Sequence, residues 1–558
     1  MAMKKDQIPN QKKGFEQRIS RRAFLKATGI GTGALSIYVL SGYKIPEAFG
    51  KTEERFIIAE PSEMNTFDPM ATVDLGRAFY RLNFFDGLTR YRDVHPKIEP
   101  WLAESWEISK DGLKWVYRLR KGARFHDGSE VTAEDVVYSV ERLLALGTGA
   151  ASLFMKALSP ENTRPLDKYT VEFKLNSPYA PFESLLHSLH ILNRKIMQAH
   201  EKNRDWGKEW LSSHGTTLGK EGVGSGSYTV EMYQPAVGID GAKFKDHFCP
   251  WDHRHVERIG YRTYPETASR LLALKKGEIH ASLGGYLPWE QLKGLSESGN
   301  IEILNQPSLR LFYSDLNNQK APTSDVHVRR AICYAFNYES WIRDVKHNMA
   351  ERNIGPIPNP MWGSLDPRTE FGYEYNLDKA RDELRQAKLD IKKYEPIEIS
   401  SFSGYPACQE ASLLMQDGLR KIGVNSTIVQ RTWPQFVALQ EKKETAATIS
   451  FHWRSAYYPD PHNWMGEMFD SDKWGTYAAG CYYKNPKVDE LLHKALVSLN
   501  RKEREELYKE AGREVVKDAG AIFVDNESWY APVNKSIGGI RFCPIGNGNE
   551  LRWAYWKK

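Results

Sequence analysis

The stretch Glu99–Arg142 reads EPWLAESWEISKDGLKWVYRLRKGARFHDGSEVTAEDVVYSVER and contains the signals of a strand and of a helix. Within it, Trp115–Leu119 alternates apolar and polar side chains, which predicts a half-buried strand. Thr132 and Asp135 stand three residues apart in the manner of a capping box, and apolar side chains then recur at helical spacing. The stretch therefore predicts a strand followed by a helix that begins after Thr132.

The same alternation of strand and helix signals continues on both sides of this stretch. The further predicted strands are Arg55–Ala59 and Ser426–Val429, and the further predicted helices are Val328–Phe336, Leu413–Ile422 and Val488–Val516. Gly423 separates a predicted helix from a predicted strand, as in the units that build α/β layers. The chain has 558 residues, and single hydrophobic cores stop growing at about 250–300 residues, so we expect at least two lobes.

Charge and motif content exclude several classes of function. The formal net charge of +6 lies entirely in residues 1–50, and the remainder is balanced. A balanced chain gives no electrostatic reason to bind nucleic acid or an anionic membrane. The sequence contains none of the G-x-S-x-G, H-E-x-x-H and P-loop patterns, which predicts that the protein is not an enzyme. The five cysteines form no C-x-x-C pair, so iron–sulfur and zinc-ribbon sites are not expected.

A histidine-rich stretch, Asp246–His255, is the strongest metal candidate in the sequence. Pro250 favours a loop there. A metal site also needs further groups that hydrogen-bond to its ligands and orient them. We therefore expect no metal site and no cofactor.

The basic N-terminus has the features of an export signal. Ser20–Lys26 reads SRRAFLK and resembles the leader of the twin-arginine translocase, while the uncharged run Ala27–Tyr43 is short for a spanning helix. The alternative is a nonspecific basic tail. Small residues up to Gly50 predict cleavage near that position. No cysteine precedes Cys249, so a lipid-anchored cysteine at the cleavage site is not expected. We expect a protein exported to the periplasm or another extracytoplasmic space, not a lipoprotein.

Six segments together carry a family resemblance. They are Glu99–Arg142, Gly222–Tyr228 (GVGSGSY), Leu271–Ile279 (LLALKKGEI), Asp325–Asn337 (DVHVRRAICYAFN), Tyr375–Leu384 and Asn485–Leu492 (NPKVDELL). In this order they resemble the family 5 extracellular solute-binding proteins of ABC importers, the peptide- and nickel-binding group. The resemblance extends from Arg55 to the C-terminus.

The resemblance implies a two-lobed α/β periplasmic-binding-protein fold, the large class II variant with an extra inserted domain and a hinge between the lobes. The implied division is a signal peptide 1–50, a discontinuous lobe I of 51–91, 222–316 and 523–558, an inserted domain 92–221, and lobe II 317–522. The implied function is that of a monomeric receptor that captures a peptide-like solute and delivers it to an ABC permease. A metal chelate, an opine or another carboxylated solute is the alternative, and a folding helper or sensor is a third possibility.

The segment His452–Trp464 (HWRSAYYPDPHNW) holds most of the candidate ligand-binding residues. Peptide-binding relatives carry there a carboxylate that pairs with the ligand's ammonium group, and the matching position in this chain is Tyr457. Trp453 and Tyr457 resemble an aromatic pair of the nickel-chelate branch, and Arg454 beside them suits a carboxylate or a planar group.

The same residues also have structural interpretations. Aromatic side chains such as Trp453 and Tyr457 often serve packing alone. Asp460 precedes a proline, where we expect a turn residue more than an ammonium partner. Phe67 is a weaker contact candidate, and Asp68 beside it has the character of a turn residue.

Overall fold

The structure is a computed structural model that describes residues 55–71, 78–213, 221–252, 254–284, 287, 289–297, 299–403, 405–545 and 549–557. The predicted export signal lies outside these residues. Within the described ranges, no helix is both long enough and apolar enough to cross a membrane. All five cysteines are free thiols.

The first sheet has four strands and begins with the predicted strand near the start of the described chain. Its strands, in spatial order, are Arg55–Glu60, Arg258–Thr263, Gly238–Lys243 and Tyr228–Gln234. The first two are parallel and the other pairs are antiparallel. The helices Thr267–Lys276 and Trp289–Ser296 pack against this sheet through Leu274 and Leu292, which join Ile57 in one small hydrophobic cluster.

A second four-stranded, antiparallel sheet begins within the stretch Glu99–Arg142. Its strands, in spatial order, are Ala103–Ile108, Lys114–Leu119, Thr170–Lys174 and Thr163–Asp167. The predicted helix is confirmed as Ala133–Leu146, and the side chains of Thr132 and Asp135 form the expected capping box. The hairpin Thr89–Arg92 and Lys97–Pro100 precedes this sheet.

The third sheet has six strands and mixes parallel and antiparallel pairs. Its strands, in spatial order, are Ala350–Arg352, Ala521–Asn534, Ile301–Leu316, Ile449–Arg454, Ile397–Phe402 and Ser426–Arg431. The predicted strand at Ser426 and the helices predicted near Val328 and Leu413 are confirmed, the latter as Val326–Ala335 and Pro406–Lys421.

The helix predicted over Val488–Val516 is wrong as a single element. The structure has two helices, Pro486–Val497 and Arg501–Lys517. The side chain of Asn500 accepts hydrogen bonds from the backbone N–H groups of Lys502 and Glu503, which starts the second helix anew. A cap of this kind interrupts a helix although the apolar periodicity continues through it.

The remaining α-helices are shorter or lie at the edges of the sheets. They are Ala78–Phe84, Ala151–Phe154, Phe182–Leu185, Arg194–Ala199, Lys208–Ser212, Tyr338–Ser340, Leu377–Gln386, Trp433–Leu439 and Met465–Phe469. Two short strands near the C-terminus, Ile537–Gly538 and Tyr555–Trp556, pair with each other. Gly224 packs on the helix Ala78–Phe84 so closely that a Cβ at this glycine would lie 2.1 Å from the carbonyl oxygen of Phe84.

Two long antiparallel strands connect the first sheet with the third. Ile301–Leu316 and Ala521–Asn534 pair along nearly their whole length, with a register shift after Pro307. Ala281 bridges both Ile58 of the first sheet and Val533 of the second long strand. A second register shift lies between Phe312 and Tyr313, so the ladder of the two long strands is interrupted twice.

The buried apolar side chains form two large clusters, which are built on the sheets described above. The first cluster combines the first sheet and the second four-stranded sheet, and it includes Phe56 and Tyr117. The second cluster is built on the six-stranded sheet and includes Phe312 and Phe451. The fold therefore has two main cores, and the surface between them is where a solute can be enclosed.

Candidate functional site

Trp453 lies near the end of the strand Ile449–Arg454, on the second cluster. Its ring is half-buried and stacks on Trp433, with ring centroids 5.9 Å apart, while Tyr405 lies at 4.6 Å. The guanidinium carbon of Arg310 lies 4.4 Å from the Trp453 ring centroid, a cation–π distance. Trp453 is therefore part of an aromatic surface, and the arginine beside it lies on the long strand Ile301–Leu316.

Arg454 points into the protein, and its guanidinium is engaged by neighbouring groups. Its Nε and Nη2 donate to the carbonyl oxygen of Asn463 at 3.3 and 3.2 Å, and its Nη1 donates to Tyr477 Oη at 2.9 Å. Arg454 is 5% exposed. It thus fixes the loop that follows its strand, and it places one charged group directly behind the Tyr477 hydroxyl.

Tyr457 brings this loop to the border of the two clusters. Its hydroxyl lies 2.6 Å from Tyr477 Oη, and its backbone N–H donates to Asn463 Oδ1 at 3.2 Å. Tyr457 packs against the first cluster, whereas Trp453 packs against the second. The structure therefore brings Trp453, Arg454 and Tyr457 together at the junction between the cores.

Asp460 caps the short 3-10 helix Pro461–Asn463 by accepting from the His462 N–H at 3.0 Å. Its carboxylate also pairs with Arg504, which comes from the helix Arg501–Lys517. Both side chains are buried. The structure thus places Asp460 in a turn and in an ion pair inside the second lobe.

Phe67 lies in the first cluster, and Asp68 beside it is buried. The Phe67 ring is 1% exposed and contacts other rings, with Phe85 at 5.0 Å and Tyr233 at 5.7 Å between centroids. Asp68 pairs with buried Arg142 at 2.6 Å and accepts from the Met70 N–H at 3.0 Å. In this conformation Phe67 is a core residue, and it does not meet the segment of Trp453.

The histidine-rich stretch separates into independent contacts. His247 Nδ1 lies 2.9 Å from Arg552 Nη1 and accepts from the Cys249 N–H at 3.1 Å. His255 Nδ1 lies 3.0 Å from a carboxylate oxygen of Asp252. His253 lies outside the described residues.

A cavity of about 50 Å³ lies at the junction of the two clusters, and its lining residues were not predicted from the sequence. Its walls include Phe85 and Phe542 of the first cluster and Tyr91 and Ile545 of the second. The polar part of the lining contains four arginines and two histidines, namely Arg81, Arg90, Arg92, Arg541, His187 and His190. These residues come from three distant parts of the chain, so no local pattern joins them.

One signal for this cavity was present in the sequence. Arg90 and Arg92 are two apart on a strand and therefore lie on the same face. Tyr91 is buried, which raises the pKa of its phenol well above the usual range, and the negative charges of Glu183 and Asp460 raise it further.

The two cavity histidines are neutral near pH 7. Burial lowers the pKa of His187 to about 4 and that of His190 to about 3, and the nearby positive charge of Arg81 lowers both further. The positive charge at this cavity therefore comes from arginine side chains, which stay protonated at any physiological pH.

Comparisons with known proteins agree on the kind of protein. A family model described as bacterial extracellular solute-binding proteins, family 5, middle, matches residues 97–476. The probable D,D-dipeptide-binding periplasmic protein of Escherichia coli (strain K12) is 28% identical over 499 residues, which cover 88% of this chain and 92% of that protein. Heme-binding protein A of Haemophilus influenzae is 27% identical over 485 residues, which cover 83% of this chain and 85% of that protein.

A solved structure shows a similar likeness in three dimensions. It is the ABC-transporter-associated periplasmic binding protein of Helicobacter pylori, in complex with the peptide STSA. It matches this chain with a TM-score of 0.73 at 26% identity, and the match covers 90% of this chain and 98% of that one. The likeness therefore extends over most of the chain and is not confined to one lobe.

Proposed function

Because the chain belongs to the bacterial extracellular solute-binding proteins of family 5, we propose that it is a receptor that captures a peptide-like solute between its lobes and delivers it to an ABC permease. The chain has the two-lobed α/β fold of the large periplasmic binding proteins. Its relatives support the solute class, since one is a probable D,D-dipeptide-binding protein and a solved relative holds the peptide STSA.

The position of the segment Trp453–Tyr457 is the single observation that carries this proposal. The segment touches both hydrophobic clusters, so a solute enclosed between the lobes meets it. Trp453 offers a half-exposed ring surface, and the paired hydroxyls of Tyr457 and Tyr477 offer oriented polar groups backed by the charge of Arg454. Apolar surface with a few oriented polar groups is the usual composition of a small-molecule site.

Phe67 and Asp460 have supporting roles in this proposal. Phe67 fills the core beneath the first lobe's side of the site, and Asp460 holds the second lobe's loop through Arg504. In both cases the side chain acts through its neighbours and does not contact the solute in this conformation.

The two long strands provide the mechanism of capture. Ile301–Leu316 and Ala521–Asn534 carry the chain between the lobes, and the bulge after Pro307 is the place where bending is easiest. Closure about such strands buries the solute and removes water from its polar contacts. We assign lobe I to 51–91, 222–316 and 523–558, the inserted domain to 92–221 and lobe II to 317–522.

A second candidate solute is a metal chelate, an opine or another carboxylated molecule. The feature that favours it is Tyr457, a tyrosine at the position where the resemblance to peptide-binding members of the family implies a carboxylate. Arg454 lies beside it, and the Tyr477 hydroxyl that it contacts can donate to an anionic group. A solute without a free ammonium group suits this arrangement.

Export precedes capture in this proposal. The segment Ser20–Lys26 directs the folded chain to the twin-arginine translocase, and cleavage near Gly50 releases a monomeric receptor outside the cytoplasmic membrane.

Calorimetric titration of the exported protein tests the solute class. The probes are D-alanyl-D-alanine, L-alanyl-L-alanine and the nickel–histidine complex, after mass spectrometry of whatever solute co-purifies. Saturable binding of a dipeptide supports the peptide reading, and binding of the chelate alone supports the alternative. A protein that binds none of the probes, carries no co-purified solute and turns over a substrate contradicts the receptor function.

A further inference from the structure

A direct contact joins the inserted domain, as assigned above, to lobe II. The backbone N–H of Ala180 donates to the carbonyl oxygen of Leu496 at 2.8 Å. Beside it, the ring of Tyr179 lies edge-on to the ring of His462, with centroids 6.3 Å apart. None of these four residues belongs to the two long strands that carry the chain between the lobes. The lobes are therefore joined a second time, through non-covalent contacts alone.

The two sides of this contact belong to different cores. Tyr179 is part of the first cluster, together with Phe56 of the first sheet, so the inserted domain is packed as one body with lobe I. Leu496 lies in the helix Pro486–Val497, whose Leu492 is part of the second cluster. A change in the angle between the lobes therefore strains or breaks the contact.

The charges at this surface suit a contact that can open. Lys156 of the inserted domain and Lys473 of lobe II both lie near the carboxylate of Glu467. Burial lowers the pKa of Lys156 and the neighbouring ammonium group of Lys473 lowers it further, while Glu467 opposes both effects. Like charges that meet across a contact weaken it, so this surface separates at lower cost than an apolar core.

The contact also involves the loop that carries the candidate binding residues. Tyr179 lies beside Tyr458 in the first cluster, and Tyr458 directly follows Tyr457. The same loop continues to Asn463, whose carbonyl oxygen accepts from Arg454. A solute held by this loop and the contact with the inserted domain order the same residues, so each stabilises the other.

We propose that this surface is a reversible latch: Tyr179 and Ala180 dock on lobe II in the closed receptor and must leave it before a solute can enter or escape. The proposal rests on the proposed function, since it concerns the passage of a solute. The opening of the latch is a property of the fold, so one of its tests needs no solute.

Hydrogen exchange of the Ala180 amide tests the latch in the solute-free protein. When the lobes separate, this amide loses its acceptor and meets water. The control is the buried Leu175 amide, which donates to the carbonyl oxygen of Leu113 at 2.7 Å and stays inside the inserted domain. We expect the Ala180 amide to exchange about tenfold faster or more, relative to the intrinsic rates. Equal protection of the two amides contradicts the proposal, because both would then open only in unfolding.

A disulfide across the contact tests the passage of the solute. Residues joined by a backbone hydrogen bond lie within the Cα separation that a disulfide spans, about 4.4–6.8 Å. Ala180→Cys combined with Leu496→Cys should therefore crosslink under mild oxidation, and the two single variants are the controls. We expect the crosslinked receptor to release D-alanyl-D-alanine, or the co-purified solute, about tenfold more slowly or less than the reduced form. Equal release rates contradict the latch.

Leu499 offers a milder variant at the edge of the latch. Its side chain is 40% exposed, and a Cβ at Gly112 of the inserted domain would lie 3.4 Å from its Cδ1. Leu499→Asp adds a charge to this surface, so the solute should dissociate about threefold faster or more, with little change in the free energy of unfolding. Leu413→Asp is the matched control, because Leu413 is an exposed leucine on the helix Pro406–Lys421 of the same lobe. Unchanged dissociation, or an equal change in the control, contradicts the latch.

The outcomes separate this inference from the proposed function. Fast exchange of the Ala180 amide, together with no binding of any dipeptide probe, supports the latch and contradicts the peptide-like solute class. Equal protection of the Ala180 and Leu175 amides, together with saturable binding of a dipeptide, contradicts the latch and leaves the receptor function intact.

Discussion

Asp460 and Arg504 form a buried ion pair, with Arg504 Nη2 2.8 Å from Asp460 Oδ1. The two residues lie 44 positions apart, and Arg504 also donates to the carbonyl oxygen of Ala495 at 2.8 Å. The pair therefore ties the loop after the candidate binding segment to the long C-terminal helix. A carboxylate engaged in this way is poorly placed to receive the ammonium group of a peptide.

The first prediction concerns this pair. Asp460→Asn should lower the free energy of unfolding by about 3 kcal/mol, because Arg504 stays buried without its partner. Solute affinity should change little. Urea unfolding and calorimetry measure the two effects, and Glu107→Gln, in the exposed pair with Arg118, should cost about 1 kcal/mol or less. Loss of binding in Asp460→Asn without loss of stability would restore recognition of a free ammonium group.

The second prediction concerns the aromatic surface and the arginine beside it. Trp453→Ala should weaken solute binding by about 2 kcal/mol or more if the ring is a central anchor. Arg454→Ala should weaken binding by about 1.5–3 kcal/mol, since it removes the charged hydrogen bonds that hold Asn463 and the Tyr477 hydroxyl in place. Calorimetric titration with the co-purified solute gives both numbers. Phe371→Ala is the control, because Phe371 is an exposed ring of the same lobe, and an equal effect there would argue against a specific site.

The third prediction is a pH dependence of stability that arises at Glu60. Burial raises the pKa of this carboxyl to about 7, although the N–H groups of Leu283 and Gly284 and the charge of Arg270 lower it. An acid with a raised folded-state pKa binds more protons folded than unfolded, so stability falls as pH rises from about 4.5 to about 7. The loss should be about 3 kcal/mol.

Urea unfolding at pH 5 and pH 8 measures this slope, and Glu60→Gln should remove that part of it. Glu278→Gln, at an exposed carboxylate in the same region of the chain, serves as the control. An identical pH slope in wild type and Glu60→Gln would assign the effect to other groups.

The fourth prediction concerns export. Arg21-Arg22→Lys-Lys should leave the protein in the cytoplasm, because the translocase reads the two guanidinium side chains and not the charge alone. Fractionation of cells shows the location, and Arg18→Lys, outside the pair, should be exported normally. Secretion of the double variant at the wild-type level would contradict the assignment of the leader.

The fifth prediction concerns closure. A saturating solute should lower the radius of gyration in solution scattering, since closure brings the two lobes together. Trp453→Ala at the same solute concentration should show a smaller decrease, because less of it is occupied. Equal curves with and without a bound solute would contradict a hinge mechanism.

The sequence by itself determined the local elements and their order. The capping box of Thr132 and Asp135 and the alternation of Trp115–Leu119 depend only on neighbouring residues, so their patterns could be read directly. Six motifs in the correct order then indicated the family and with it the two-lobed fold. The division at Asn500 was missed, because apolar periodicity continues on both sides of a cap that ends one helix and starts the next.

Only the tertiary structure decided which distant side chains meet. The partner of Asp460, the burial of Glu60 and the cavity that joins Arg90 to Arg541 each depend on how separate elements pack. Periodicity constrains which face of an element is apolar, but it carries no information about which residue of another element lies opposite. For this reason the candidate segment at Trp453 could be named from the sequence, whereas the inward direction of Arg454 and the cavity at the junction of the clusters could not.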